Sequence, residues 1–297
     1  MVADPRTKVL IAGGGVAGLE AVIALRSVDS ERFDMELMAP QRYITRRSLA
    51  SGPPFLRATA ERMELAAMAA EHDVRLTRDA LELVDPDLHD VLTQDGARRS
   101  YDVLVLALGT RPAVSVAGAM AFRGLQDLGA LIAALDPVPS VAYIAASTSM
   151  WTAPLYELAV QTTAWAADRR KALDVLVVTA ERVDESLANR LVTARATVFS
   201  ETVVDRFADD HLELADGRRV KVGLAVALPH LTGPIVRGLP ARSRAAYTAV
   251  DASGRVAGVA DVYAIGDMTG RRTSASEQAR AAVDAITASE GYRRGHV

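Results

Sequence analysis

The stretch Lys8-Val-Leu-Ile-Ala-Gly-Gly-Gly-Val-Ala-Gly-Leu-Glu-Ala-Val-Ile-Ala-Leu-Arg26 decides the fold of this chain. It opens with the apolar run Val9–Ala12, which is too short for a helix and suits a buried parallel strand. The apolar residues after the glycines recur at helical spacing. Gly13, Gly15 and Gly18 therefore occupy a strand-to-helix turn in the spacing G-x-G-x-x-G, the context that a dinucleotide-binding site requires.

Each of the three glycines has a physical role in such a turn. Gly13 permits the tight turn, Gly15 lets a pyrophosphate approach the backbone, and Gly18 lets the helix pack close to the strand. The helix N-terminus adds unpaired N–H groups and a partial positive charge. The alternative is a glycine-rich turn with no ligand. The placement of the glycines between a strand and a helix favours the nucleotide site.

Composition limits the possible function classes. The chain has 297 residues, enough for one large or two modest domains, and a net charge of −3, which argues against nucleic acid as a partner. It contains no cysteine, so disulfides, thiolate metal sites and a cysteine redox centre are excluded, and no metal site is predicted. No apolar run approaches the ~20 residues that span a bilayer, and no signal peptide precedes the first strand. We therefore expect a cytoplasmic protein without an integral membrane segment.

The second strand, predicted over Phe33–Ala39, lacks the acidic residue that usually ends it and holds the adenosine ribose. The chain continues with Pro40, and a ribose contact is expected instead from Gln41 or Arg42. The next segment, Tyr43–Pro54, is predicted as a cation-rich loop. It is either a solvated basic loop or an arm over the cofactor phosphates that includes Arg46.

The same succession of strand, small-residue turn, helix and hairpin occurs twice, from Lys8 and again from Ser140. The pattern predicts an α/β fold of two Rossmann-like, doubly wound domains, with residues 116–223 inserted into a domain made of residues 1–115 and 224–297. Helices are predicted at Glu61–Glu71, Leu125–Leu135, from about Pro154, at Glu185–Val192 and at Ser276–Ser289, and further strands at Ser140–Ala145, Asp174–Thr179 and Val222–Pro229.

Three motifs in order, Gly13–Glu20, Tyr101–Thr110 and Val262–Asp267, give the chain a family resemblance. It resembles the flavoproteins with two dinucleotide domains that are related to pyridine nucleotide–disulfide reductases. Within that group it is most similar to the branch of sulfide:quinone reductase-like and flavocytochrome c sulfide dehydrogenase-like proteins. The resemblance implies that residues 1–115 and 224–297 bind FAD and that residues 116–223 are a degenerate nicotinamide-type domain.

The resemblance also implies a set of FAD contacts, held without a covalent bond. Asp267 would accept hydrogen bonds from the ribityl hydroxyls; the alternative is an aspartate that only caps a helix. The residues expected to contact FAD are Gly13, Gly15, Val16, Ala17, Gly18, Pro40, Gln41, Arg42, Arg46, Ala107, Leu108, Gly109, Gly266, Asp267 and Ser276.

The chain departs from these relatives in its second half. The relatives use cysteines that are missing here, so their chemistry is not carried over. The turn Ala145–Trp151 lacks the glycines of a second fingerprint, and NADH and NADPH are therefore predicted to reduce the flavin poorly. Glu157 matches a family glutamate that faces the flavin, or is a surface carboxylate favoured by a helix dipole. Trp151 and Tyr156 are expected to line a pocket for a small or apolar molecule.

The predicted function is an FAD-dependent oxidoreductase that transfers hydride or electrons at the flavin without a cysteine centre. Its partner would be a small-molecule or protein electron donor or acceptor, and an oligomer is possible. One alternative is a non-catalytic flavin-binding or scaffold protein. Another is an NAD(P)H-dependent flavin reductase of a quinone or a protein electron carrier. Because the chain ends soon after its last helix, a quinone site built in the membrane is not expected.

Overall fold

The structure is a computed structural model that describes residues 6–28, 32–49, 58–113, 116–124, 127–145, 152–240, 247–271 and 273–294. The chain divides into two compact units. The first consists of Met1–Arg46, Glu61–Arg111 and Thr232–Val297, and the second of Arg47–Ala60 and Pro112–Leu231.

Strands and helices alternate at the start of the chain and from residue 128 to residue 199, and the segments between consist mainly of strands. In the first part they are β1 (Thr7–Ala12), α1 (Val16–Val28), β2 (Phe33–Met38), β3 (Tyr43–Leu49), β4 (Ala58–Glu64), α2 (Leu65–Glu71), β5 (Arg75–Thr77), β6 (Leu81–Asp85), β7 (Asp90–Thr93), β8 (Arg98–Ser100), β9 (Val103–Leu106) and β10 (Arg111–Ala113). The middle part has β11 (Met120–Ala121), α3 (Leu128–Leu135), β12 (Ser140–Ala145), α4 (Ala153–Asp168), β13 (Asp174–Thr179), α5 (Glu185–Thr193), β14 (Ala196–Phe199), β15 (Val204–Ala208), β16 (His211–Leu214), β17 (Arg219–Lys221), β18 (Leu224–Ala227) and β19 (His230–Thr232). The last part has β20 (Val262–Ala264), a 3₁₀ turn (Gly266–Thr269) and α6 (Ala275–Arg294).

The first unit is built on a five-stranded sheet in the order β20-β9-β1-β2-β5, and every neighbouring pair is parallel. The order is that of a doubly wound sheet. Strands β1, β9 and β20 are buried on both faces over their apolar runs, whereas the edge strand β5 is partly exposed. One face packs against α1, α2 and α6 through a core that includes Leu25, Leu65 and Ile286.

The second unit contains a parallel sheet in the order β11-β18-β12-β13-β14. Strands β14, β13, β12 and β18 repeat the order of β5, β2, β1 and β9 in the first unit. Helices α4 and α5 cover one face, where Trp165 and Leu191 are buried. The fold is therefore α/β with parallel sheets.

Smaller antiparallel sheets decorate the parallel ones: β6-β7-β8 in the first unit and β15-β16-β17 in the second. The remaining sheets pair β3 with β4 and β10 with β19. None of the helices in the described ranges is long and apolar enough to cross a membrane.

Several predicted elements were wrong in type or extent. The last helix extends to Arg294 rather than to Ser289, and the strand predicted over Val222–Pro229 is limited to Leu224–Ala227. The predicted loop Tyr43–Pro54 begins with strand β3, which pairs with β4. The same pairing shortens the predicted helix Glu61–Glu71, because Glu61–Glu64 belong to β4 and α2 begins only at Leu65. Helix α3 begins at Leu128 rather than at Leu125, which lies outside the described residues.

Candidate cofactor-binding site

The three sequence motifs meet at one edge of the first parallel sheet. The amide of Ala107 donates to the carbonyl of Ala12 at 2.7 Å, and the amide of Ile265 donates to Leu106 at 2.9 Å. These bonds extend the pairing of β9 with β1 and of β20 with β9 up to the strand ends. Because parallel strands share a carboxyl edge, the turns that follow β1, β9 and β20 lie side by side, at the position where open α/β sheets bind ligands.

Two fingerprint glycines are required by packing within the protein itself. Gly13 has a φ of +121°, and a Cβ on it would overlap the carbonyl oxygen of Ala107. A Cβ on Gly18 would overlap the carbonyl oxygen of Gly13. Gly13 permits the tight turn, and Gly18 lets α1 pack close to the strand, the two roles that the sequence analysis gave them.

Gly15 differs from these two, since a Cβ on it would meet no protein atom within 4 Å. The protein's own packing therefore does not require glycine at this position. It lies immediately before α1, where the first N–H groups of the helix lack intrahelical acceptors. Open space beside unpaired N–H groups fits a pyrophosphate that approaches the backbone.

Gly14 is a packed position that the sequence reasoning missed. A Cβ on it would lie 2.7 Å from Cβ of Ala39 and 2.8 Å from Cδ1 of Leu65. Nε2 of Gln41 would lie 2.9 Å away, so the amide of this predicted contact reaches the fingerprint turn. The only signal in the sequence was an unbroken run of three glycines.

The third motif follows β20 directly. Gly266 has a φ of +76°, which favours glycine, and a Cβ on it would lie 2.6 Å from Cβ of Ala17 in α1. The first and third motifs are therefore in contact although 249 positions separate Ala17 from Gly266 in the sequence.

Asp267 has the properties of a ligand acceptor. It is exposed, and its carboxylate makes no hydrogen bond with any of the described residues. Desolvation by the surrounding protein nevertheless raises the pKa of this carboxyl. Hydrogen-bond donors from a ligand would stabilise the ionised form of such a partly desolvated carboxylate, and ribityl hydroxyls are donors of this kind.

The second motif contributes an open glycine. Gly109 has a φ of +66°, and a Cβ on it would meet no atom within 4 Å. The preceding amide, that of Leu108, donates to Sδ of Met268 at 3.4 Å. The turn after β9 is thereby tied to the turn after β20.

The remaining predicted contacts are placed less tightly. Pro40 and Arg42 are exposed after β2, and Nε of Arg42 donates to Oε1 of Glu64 at 3.0 Å. Arg46 lies in β3, and its side chain is not described. Ser276 is half-buried in the first turn of α6.

Glu157, the candidate catalytic residue, lies on α4 in the second unit. Its Oε1 accepts a hydrogen bond from Nε2 of Gln161 at 2.9 Å, and its Oε2 lies 3.8 Å from Nη2 of Arg190 on α5. Tyr156 is 7% exposed and packs in the core of this unit. Trp151, with the turn before it, lies outside the described residues, so the pocket expected from Trp151 and Tyr156 stays a prediction. Over the described part of the chain, no three His, Cys, Asp or Glu side chains are grouped as metal ligands.

Comparison with known proteins places these sites in context. A family model described as pyridine nucleotide-disulphide oxidoreductase matches residues 7–285. A search by sequence among curated proteins finds no significant match.

Solved structures give the fold comparison. The sulfide:quinone oxidoreductase of the hyperthermophilic bacterium Aquifex aeolicus is 18% identical with a TM-score of 0.78, over 95% of this chain and 76% of that one. The ferredoxin reductase of the CYP199A2 system of Rhodopseudomonas palustris is 20% identical with a TM-score of 0.67, over the same shares. The water-forming NADH oxidase of Lactobacillus brevis, bound to NADH, is 17% identical with a TM-score of 0.65, over 94% and 69%.

Proposed function

Since the chain belongs to the pyridine nucleotide-disulphide oxidoreductase family and is an FAD-dependent oxidoreductase, we propose that its FAD lies at the carboxyl ends of β1, β9 and β20. The flavin supplies the hydride or electron chemistry when it is bound, and the protein binds and orients it. With no cysteine in the chain, no thioether link to the flavin forms and no thiol takes part in the reaction. The binding is proposed to be non-covalent.

The observation that carries this proposal is the open space at Gly15. Gly13 and Gly18 are occupied by protein packing, whereas Gly15 leaves room at the start of α1. The pyrophosphate would lie there, on the amides of Val16 and Ala17, where the helix dipole favours a negative charge. Asp267 would accept hydrogen bonds from the ribityl hydroxyls.

We also propose the domain organisation expected from the sequence, with residues 1–115 and 224–297 as the FAD domain and residues 116–223 as a second Rossmann-like domain inserted into it. Two observations support it. Val9 and Tyr263 lie in one sheet, and β12, β13 and β14 lie in another sheet with the same order. Strand β18 (Leu224–Ala227) also belongs to the second sheet, so we propose that the chain returns to the first domain after β18 rather than at residue 224.

The donor and acceptor are proposed to be small molecules or protein electron carriers other than NADH and NADPH. The basis is the sequence of the turn after β12, which carries no glycine between Ala145 and Trp151. A Cβ at the position of closest approach would stand against a pyrophosphate. The cytoplasmic location and the oligomeric state stay predictions.

A second candidate function is an NAD(P)H-dependent reductase of a quinone or of a protein carrier. The strand order of the second unit favours it, because β14-β13-β12-β18 is the arrangement on which dinucleotides bind in doubly wound folds. The response of the flavin to NADH and NADPH separates the two candidates.

The site assignment is tested by two substitutions, G15V and D267A. Valine at position 15 would fill the space proposed for the pyrophosphate, and alanine at position 267 would remove the ribityl acceptor. G129V is the matched control, because Gly129 lies exposed on α3 and a Cβ there also meets open space. We expect low flavin content in the first two purified proteins and full content in the control. Full flavin content in both G15V and D267A would refute the assignment.

A further inference from the structure

Gln278 is a buried amide within the first unit. It lies in the first turns of α6 and is only 4% exposed. Burial of an amide is costly unless its polar atoms are hydrogen-bonded. The side chain therefore needs specific partners, and these partners identify its role.

The partners of Gln278 belong to the turn that carries the third motif. Its Oε1 accepts from the amide of Gly266 at 3.0 Å and lies 3.0 Å from the hydroxyl of Thr269. The Thr269 hydroxyl is also 2.8 Å from the carbonyl of Gly266, and its single hydrogen serves one of the two acceptors at a time. Nε2 of Gln278 donates to the carbonyl of Thr273 at 2.9 Å.

In the described part of the fold, the amide of Gly266 has no hydrogen-bond acceptor other than Gln278. Strand pairing of β20 ends with Ile265, whose amide donates to Leu106. Gly266 then begins a 3₁₀ turn, where an N–H group lacks an acceptor inside the turn. The oxygen of Gln278 supplies that acceptor, and the bond to Thr273 holds the amide plane so that this oxygen points at Gly266.

Asp267 follows Gly266 directly, and its carboxylate makes no hydrogen bond or ion pair with any described residue. The backbone of the turn therefore sets the direction of the carboxylate. Gln278 holds this backbone through its hydrogen bonds with Gly266 and Thr269. On the basis of the proposed flavin site, we infer that Gln278 is a positioning residue. It raises the affinity for FAD through Asp267, without touching the cofactor.

The test is a double-mutant cycle on the dissociation constant of FAD, measured by titrating flavin-free protein and following flavin fluorescence. Q278M keeps the length of the side chain but leaves the Gly266 amide without its acceptor. We expect Q278M to weaken FAD binding by about tenfold, because the turn that carries Asp267 is no longer held by Gln278 in the flavin-free protein and must be ordered when FAD binds. In the D267A background, the same substitution is expected to change the dissociation constant by less than about threefold.

S274A is the matched control. Ser274 caps the same helix, with its hydroxyl accepting from the amide of Glu277 at 3.2 Å, and it is exposed. S274A should lower the melting temperature of the flavin-free protein and leave FAD affinity unchanged. If Q278M fails to fold, T269V is the milder variant, with an expected loss of about threefold that also disappears with D267A.

The outcomes separate this inference from the site assignment on which it rests. If D267A binds FAD as tightly as the unmodified protein, the assignment of the site is wrong. If D267A weakens binding but Q278M does not, only the role of Gln278 is refuted. An equal effect of Q278M with and without Asp267 would also refute it, because Gln278 would then support the fold in general.

Discussion

The two parallel sheets share a strand order, but the sequences that follow β1 and β12 differ, and the residues directly after β12 lie outside the described ranges. After β1 the chain reads Gly13-Gly14-Gly15, and after β12 it reads Ala146-Ser147-Thr148. In the first turn, packing uses Gly13 and leaves Gly15 open. A doubly wound sheet therefore offers a nucleotide a binding position at the carboxyl ends of its strands. The side chains that follow the central strand decide whether a phosphate can approach the backbone there.

The largest effect on stability is expected at Gly18, because packing within the protein leaves no room for a side chain there. Alanine usually stabilises a helix relative to glycine, but here its Cβ would overlap the carbonyl of Gly13. G18A should lower the free energy of unfolding of the flavin-free protein by about 3 kcal/mol or more. Urea denaturation measures this, with G15A as the control, which we expect to unfold within ~1 kcal/mol of the unmodified protein. Equal stabilities of G18A and G15A would contradict the division between packed and open glycines.

The second prediction concerns the turn after β12. Loss of two charge-assisted hydrogen bonds to a pyrophosphate, at ~1.5–3 kcal/mol each, weakens a nucleotide by about a hundredfold or more. NADH and NADPH should therefore reduce the flavin poorly. Anaerobic mixing of the FAD-loaded protein with each nucleotide measures the bleaching of the flavin band, with dithionite as the control reductant. Rapid bleaching at micromolar nucleotide would support the NAD(P)H-dependent alternative.

The third prediction concerns the charge of Asp267. Because desolvation raises its pKa in the folded flavin-free protein, the ionised carboxylate lowers stability at neutral pH. This penalty disappears as the pH falls below the ordinary pKa of an aspartate. D267N should thus melt at a higher temperature than the unmodified protein at pH ~7, and the difference should narrow through the acid range.

The same substitution should have the opposite effect on FAD. D267N is expected to weaken binding by about tenfold, because an amide is a poorer acceptor for ribityl hydroxyls than a carboxylate. As the pH decreases, the affinity for FAD should decrease for the unmodified protein and stay level for D267N. Parallel pH profiles of the two proteins would show that Asp267 does not contact the cofactor.

The smallest effect is expected at Glu157 and Arg190. Their charged atoms lie 3.8 Å apart, and the Arg190 side chain is 64% exposed, so the pair resembles a surface ion pair. E157Q should change the free energy of unfolding by about 0.5 kcal/mol. R190Q is the matched control, since it removes the same pair from the other side. A shifted flavin spectrum in E157Q but not in R190Q would support the predicted role of Glu157 near the flavin.

Local patterns were sufficient to predict the parallel strands and the family. Strands β1, β12 and β13 each contain a run of four or more apolar residues, as is typical of strands buried on both faces. The three motifs gave a resemblance that the family match confirms. Strand β3 was missed because its residues are mostly polar. It exists through pairing with β4, and such pairing is not encoded in a local apolar pattern.

The missed parts of the candidate site have a related cause. Gln278 extends the buried stripe of α6 that includes Ala282 and Ile286, and a polar residue on that stripe was the available signal. Its partner Gly266 is 12 positions away, and their contact depends on how the helix packs against the turn. Gly14 was passed over because the fingerprint spacing does not specify it.

The contact between Gly266 and Ala17 has a consequence for synthesis. At about 5–20 residues per second, a ribosome that has made α1 needs roughly 12–50 seconds to reach β20. In the later part of this time, after β9 has been made, one edge of β9 is unpaired, and unpaired edges promote aggregation. If FAD binds at the proposed site, this site is complete only after the C-terminal part of the chain has emerged, so flavin uptake would report that the nascent protein has finished folding.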